Sequence, residues 1–157
     1  MALTKEEIEA LYSRVPLLRV PQTIYQLENV EVGADQLYDA AHKLNRATRH
    51  SAGGWRIFGF TKIGTDFITL AGNAPPTTPL HEAIHGMGLA SEPATYAVTR
   101  FAMARARLNL GLFRRPVRYT QVEPTPAEKQ AFFDMMHLSV APGETGQPRL
   151  VKMVYTP

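Results

Sequence analysis

Apolar positions recur along the chain in two periods, and the switches between them mark out its elements. Ile8, Leu11 and Tyr12 share one face of a 3.6-residue repeat, and Thr4-Lys5-Glu6-Glu7 reads as a capping box, so a short helix is predicted to about Ser13. Val15 to Val32 is broken by Pro16 and Pro21 and reads as extended, with alternation over Thr23–Leu27 marking a strand. After Gly33, helical spacing returns at Leu37, Ala40, Ala41, Leu44 and Ala47. Ser51 to Gly54 reads as a turn, the aromatic-rich run Trp55 to Thr61 as a strand, Lys62 to Thr65 as a hairpin loop, and Asp66 to Ala71 as the return strand. A rigid loop with Pro75 and Pro76 then leads into a helix with Thr78 as its N-cap and Pro79 at its first position, stopped by Gly86 and Gly88. Ser91 can cap the next helix, which runs from Glu92 or Pro93 to about Leu110, with Ala94, Ala97, Val98, Phe101 and Leu108 as its buried stripe and Gly111 after it. Val117 to Val122 reads as a last strand, and the capping box Thr125-Pro126-Ala127-Glu128 opens a helix to about Leu138.

The pattern predicts an α+β fold with a small antiparallel sheet, a central helix and a following helix. Residues 1–138 form a single domain. From Ser139 to Pro157 the residues Pro142, Gly143, Gly146 and Pro148 exclude a helix, and only Leu150 to Tyr155 could pair as a strand. That segment, 139–157, is expected to be an extended tail that docks on a partner chain or a second copy. The simpler alternative is a final strand packed on its own domain.

Composition narrows the function classes. With 157 residues, 45% hydrophobic and 20% charged, the chain suits one globular domain large enough for a real core. It has no cysteine, which excludes a disulfide framework and a thiolate metal site; any zinc must be held by His and carboxylate. The N-terminus lacks a basic-then-apolar leader, and no apolar run approaches a membrane span, so the expected location is the cytoplasm of a cell or infected host, or a virion, with no membrane partner. The net charge of +3 decides little. Arg100, Arg105, Arg107, Arg114, Arg115 and Arg118 cluster in and after the second long helix. They read first as a solvated face and a basic loop; contact with nucleic acid stands behind that, since no groove-reading motif accompanies them.

The chemistry concentrates in Pro79-Leu80-His81-Glu82-Ala83-Ile84-His85-Gly86-Met87-Gly88. Four residues is about one helical turn, so His81 and His85 face the same way and can share one metal ion. Glu82 stands beside them, within reach of a water on that metal. Catalytic zinc ordinarily takes three protein ligands and keeps one open position, and it makes hydroxide available near neutral pH. The third ligand must come back from beyond the glycine stop. Glu92 is the first candidate, against the simpler alternative that it favours its own helix N-terminus through the macrodipole. Should Glu92 fail, His137, Asp134 and Glu123 are next. His42, alone on its helix, reads as a surface or half-buried residue rather than a ligand, and the lone His137 reads first as structural.

The segment His81-Glu82-Ala83-Ile84-His85, set after a helix and a hairpin, resembles the zincin metallopeptidases. The resemblance covers about Ala34 to Leu110 and implies a zincin-like core, Zn2+ as cofactor, His81 and His85 as ligands and Glu82 as the catalytic base. Glu92-Pro93-Ala94-Thr95-Tyr96-Ala97 looks like the Glu-x-x-x-aromatic-Ala segment of small gluzincins, in which the Glu is the third ligand. The gap from His85 to Glu92 is shorter than in gluzincins and nearer the metzincin layout, where Gly88 would match the turn glycine and Ser91 falls one place early for the ligand. The family also implies that the strand before the active-site helix, here Asp66 to Ala71, is an edge that pairs with an extended peptide substrate. A zinc-dependent metallopeptidase acting on a peptide or protein is therefore the leading expectation. The alternative is a structural or assembly protein on a zincin-like fold, such as a phage particle component.

Overall fold

In the computed structural model, residues 2–27, 59–61, 65–70, 72, 74–108, 114–130 and 149–157 are described. They form a mixed α/β arrangement. Helix α1 (Lys5–Ser13) precedes strand β1 (Thr23–Leu27), followed by β2 (Gly59–Phe60), β3 (Phe67–Leu70), α2 (Thr78–Gly86), α3 (Glu92–Leu108), β4 (Arg118–Val122) and β5 (Leu150–Thr156). A further helix opens at 126–130, between β4 and β5. The predicted helix Ala34–Ala47, the strand residues before Gly59, the loop residues 62–64, the end of the helix after Leu108 and residues 131–148 lie outside the described residues.

The strands lie in the order β2-β3-β1-β5-β4. Three of the four pairings are antiparallel, but β1 runs parallel to β3, with Thr23 opposite Phe67 and Gln26 opposite Leu70. The sheet is therefore mixed rather than antiparallel. Parallel neighbours need a long crossover, and the long chain between β1 and β3 supplies it. The same order corrects the expected substrate edge. β3 is flanked on both sides, by β1 and β2, and among the described residues the outer strand beside it is β2.

The extended tail is also corrected, for its last third. Leu150–Thr156 is β5 and lies between β1 and β4, in register from Thr23–Val154 to Leu27–Leu150. Leu150, Val151 and Met153 are buried, so this strand supplies core that β1 and β4 alone would leave wet. The simpler alternative, a strand packed on its own domain, is the one observed.

Helix α1 begins as its sequence predicts. The Glu7 amide donates to Thr4 Oγ1 at 3.2 Å and the Thr4 amide to Glu7 Oε2 at 2.7 Å. Ile8 and Tyr12 bury its apolar face, and the Tyr12 hydroxyl donates to the Pro79 carbonyl at 2.8 Å, which ties α1 to the first turn of α2. At the other end of α2, Arg19 donates to the Gly86 carbonyl at 2.7 Å, a cation at a helix C-terminus. Leu80, Ala83 and Ile84 of α2 face the core with Ile24, Ile68 and Leu70. Both ends of the helix are thus pinned and its apolar face is packed.

Helix α3 departs from its predicted stripe. Val98, Phe101 and Leu108 are exposed, Phe101 by 67% and Leu108 by 77%. Its buried residues are Thr95 and Thr99, with Ala102 and Met103 packed on the core. The polar face can be buried because each hydroxyl finds a carbonyl one turn back: Thr95 Oγ1 donates to Ser91 at 2.7 Å and Thr99 Oγ1 to Thr95 at 2.7 Å. Turning Thr95 inward also turns Glu92, one turn earlier, toward α2. Among the arginines, Arg115 is a structural residue, donating to the carbonyls of Val15 and Leu18.

The second capping box forms as well. The Glu128 amide donates to Thr125 Oγ1 at 3.1 Å and the Thr125 amide to Glu128 Oε1 at 3.3 Å. Glu128 Oε2 further accepts from Lys152 Nζ and from the Tyr25 hydroxyl, each at 2.7 Å, linking this helix to β5 and β1. The bond from Lys152, then that from Tyr25, holds the Glu128 carboxyl down at about 2. A carboxyl lowered on folding contributes stability above its ordinary range and loses it as the pH falls through its folded value. The pair is partly open to solvent, so its contribution is modest. Glu128→Gln should melt below the parent at neutral pH, by roughly 1–4 °C. The gap should narrow steadily below about pH 4.5 and close near pH 2, as thermal melts of both proteins across that range would show.

Candidate metal centre

Three elements build the site: the end of β2, the one-turn run of α2 that carries both histidines, and the first turn of α3. Entry to α2 differs by one residue from the prediction. Thr77, not Thr78, is the N-cap, and it makes no side-chain cap bond. The preceding turn replaces that bond, since the Thr78 amide donates to the Pro75 carbonyl at 3.0 Å. Gly86 remains helical. Met87 is the C-cap and Gly88 takes φ 110°, a left-handed conformation that glycine adopts without strain. The reversal at Gly88 brings the chain back so that Glu92 opens α3 beside α2.

His81, His85 and Glu92 meet there. His81 Nε2 and His85 Nε2 are 3.1 Å apart; Glu92 Oε2 is 3.2 Å from the first and Glu92 Oε1 is 2.9 Å from the second. Each residue contributes one ligand atom to a group that could hold a metal ion. A tetrahedral zinc with bonds of about 2.0–2.1 Å separates its ligand atoms by roughly 3.3 Å, so the two Nε2 atoms, with a Glu92 oxygen beside each, stand on the scale of that ion. The donor types fit as well: two imidazole nitrogens and a carboxylate form a catalytic rather than a structural zinc set.

The rings are oriented by their surroundings. His85 Nδ1 lies 2.6 Å from the Leu89 carbonyl, which places one ring proton on Nδ1 and leaves Nε2 facing the triad, where it carries either a proton toward Glu92 or a metal in the proton's place. His81 is held by ring packing: Tyr96 stacks on it at 4.6 Å between centroids, and His85 meets its edge at 4.7 Å. Its buried Nδ1 finds no hydrogen-bond partner among the described residues. Burial alone would lower the His85 pKa, but the bond to Glu92, the charge of Glu82 and the Leu89 carbonyl outweigh it and raise the value. Metal and proton therefore compete for the same nitrogen, and acidification favours the proton.

The two carboxyls are driven apart. Burial pushes Glu92 up, yet the bonds from His81 and His85 overcome it and bring the group down to about 2. For Glu82 burial wins and the pKa is raised, against the lowering effects of His85 and of the Thr61 hydroxyl. Glu82 is only 5% exposed, and its Oε2 accepts from Thr61 Oγ1 at 2.6 Å. One carboxylate is kept anionic at neutral pH and the other is biased toward holding a proton, the division that a ligand and an acid–base group require.

The structure therefore brings together His81, His85 and Glu92, with Glu82 next to His81 on α2 and close enough to feel the charge of all three. The reserve ligand Glu123 is elsewhere, exposed and paired with Lys129 at 2.8 Å; His42, Asp134 and His137 lie outside the described residues. Sequence reasoning missed three contributors: Thr61, the Leu89 carbonyl and Tyr96 as the ring against His81. Only Tyr96 left a signal, since it follows Glu92 by four residues and so shares its helix face. No family model, no curated protein and no solved structure matches the chain. No described helix is long and apolar enough to cross a membrane.

Proposed function

We propose that the protein is a zinc-dependent metallopeptidase on a zincin-like core, hydrolysing peptide bonds. The observation that carries this reading is the convergence of His81 Nε2, His85 Nε2 and the Glu92 carboxylate at separations of 2.9–3.2 Å, with the buried Glu82 beside them on the same helix. His81, His85 and Glu92 would hold the ion. When bound, zinc supplies Lewis acidity, polarising the scissile carbonyl and making a water molecule more acidic.

Each protein group then has a defined task. The Leu89 carbonyl keeps the His85 proton on Nδ1, so that Nε2 remains a ligand. Glu92 supplies negative charge and closes the triad from α3. Glu82, with its raised pKa, accepts a proton from the attacking water at its carboxylate and returns it to the departing amine. The outer edge of β2, next to α2, receives the extended peptide by strand addition.

The test is cleavage. Zinc-loaded protein is incubated with a mixed peptide library, and new termini are read by mass spectrometry. Cuts that vanish on chelation and in Glu82→Gln support the reading. Stoichiometric zinc without any cut would overturn it in favour of a structural role for the metal.

A further inference from the structure

Glu82 is met from β2 at Gly59 and from Thr61, the residue that follows the strand. Residues 59 and 61 are two apart along an extended chain, so they face the same side of the sheet, and that is the side α2 covers. At Thr61 the hydroxyl lies 2.6 Å from Glu82 Oε2 and 3.0 Å from the Glu82 carbonyl, with both residues buried. At Gly59 an added Cβ would stand 3.1 Å from Glu82 Cγ, 3.1 Å from Thr78 Cγ2 and 2.9 Å from the Thr69 carbonyl oxygen. The strand thus leaves a gap for the stem of Glu82 and sets a donor at its head.

We propose that Thr61 is the positioning residue for Glu82, and that Gly59 and Thr61 form a clamp through which the outer strand aims the base. The inference rests on the reading of Glu82 as the proton acceptor. A glutamate has three side-chain torsions and two equivalent oxygens; a base needs one oxygen kept where the proton will be. A hydroxyl donating to Oε2 stops rotation of the carboxylate and assigns the proton to Oε1. The 2.6 Å separation has the length of a hydrogen bond to an ionised carboxylate. Because the clamp consists of β2 and the residue directly after it, and the outer edge of β2 would pair with a peptide, seating of substrate and aim of the base are coupled through the Thr61 hydroxyl. A packing role alone would make the hydroxyl and a methyl group interchangeable at this position.

The test compares Thr61→Val, Thr61→Ser and Gly59→Ala by zinc content, peptide turnover and crystal structure. Thr61→Val should keep its zinc and lose about 10–100-fold in kcat, with KM within about twofold of the parent. Thr61→Ser, which restores the donor, should recover kcat to within about threefold. In the crystal structures Glu82 should leave its parental rotamer in Thr61→Val and Gly59→Ala and keep it in Thr61→Ser. If Thr61→Val fails to fold, Thr61→Ala takes its place with the same readouts. Parental kcat in Thr61→Val, or a Glu82 carboxylate unmoved in it, would overturn the clamp. Should the parent cut no peptide, the peptidase reading falls by itself, and the clamp is judged on the Glu82 rotamer alone: displaced supports it, unmoved overturns it.

Discussion

Glu82→Gln should bind zinc as the parent does and lose peptide turnover by about a hundredfold or more. Glutamine keeps the length of the side chain, and its carbonyl oxygen can still accept from the Thr61 hydroxyl, so the local packing has no reason to change. What it cannot do is take a proton. The stability of this variant carries a second signature. Burial raises the Glu82 pKa, so the folded state favours its protonated form more than the unfolded state does. For such a group stability is greatest below the ordinary carboxylate range and declines as the pH rises through the folded value. At neutral pH the metal-free parent therefore bears the cost of a buried anion, and the neutral amide removes it. Glu82→Gln should melt no lower than the parent at neutral pH, while the two should differ in the opposite sense or not at all in acid. A variant that lost activity together with zinc or stability would place Glu82 in the structure rather than in the chemistry.

Glu92→Gln should fail in the other way. Glu92 reaches both histidines from the start of α3 and is brought down to about 2 by its bonds with them, so at neutral pH it is an anion. A neutral amide is a poor ligand for zinc, and second-ranked contacts cannot replace it, because among the described residues no other carboxylate belongs to this group. Zinc affinity should fall by about 10–100-fold or more, with activity following it, and excess zinc should restore part of that activity. Glu82→Gln should show no such rescue. Titration with a competing chelator separates the two variants. Zinc held as tightly by Glu92→Gln as by the parent would reduce Glu92 to a carboxylate at a helix terminus and send the search for the third ligand to residues beyond it.

These contrasts follow from what was legible in the chain and what was not. The one-turn spacing of His81 and His85, the glycine at position 88 and the first carboxylate after it were enough to nominate the triad, since all three depend on local helix geometry. Thr61 was illegible because a threonine at the end of a strand carries no signature; its role arises only when β2 and the residue after it are laid against α2. The α3 stripe misled because apolar spacing assumes that polar residues stay outside, whereas Thr95 and Thr99 satisfy their hydroxyls within the helix and can go inside. Strand direction and strand order are non-local in the same sense. Nothing near Thr23–Leu27 says that it will run parallel to Phe67–Leu70, and the prolines and glycines before Leu150 obscured a strand that completes the sheet.

The central claim is that His81, His85 and Glu92 hold a metal, and metal content tests it most directly. Protein purified without added zinc, then dialysed against metal-free buffer, should retain about one zinc per chain by elemental analysis, and His85→Ala should retain none. Zinc restored after chelation should raise the melting temperature of the parent and leave that of His85→Ala unchanged. A parent that carries no transition metal and whose melting temperature does not respond to zinc would contradict the account.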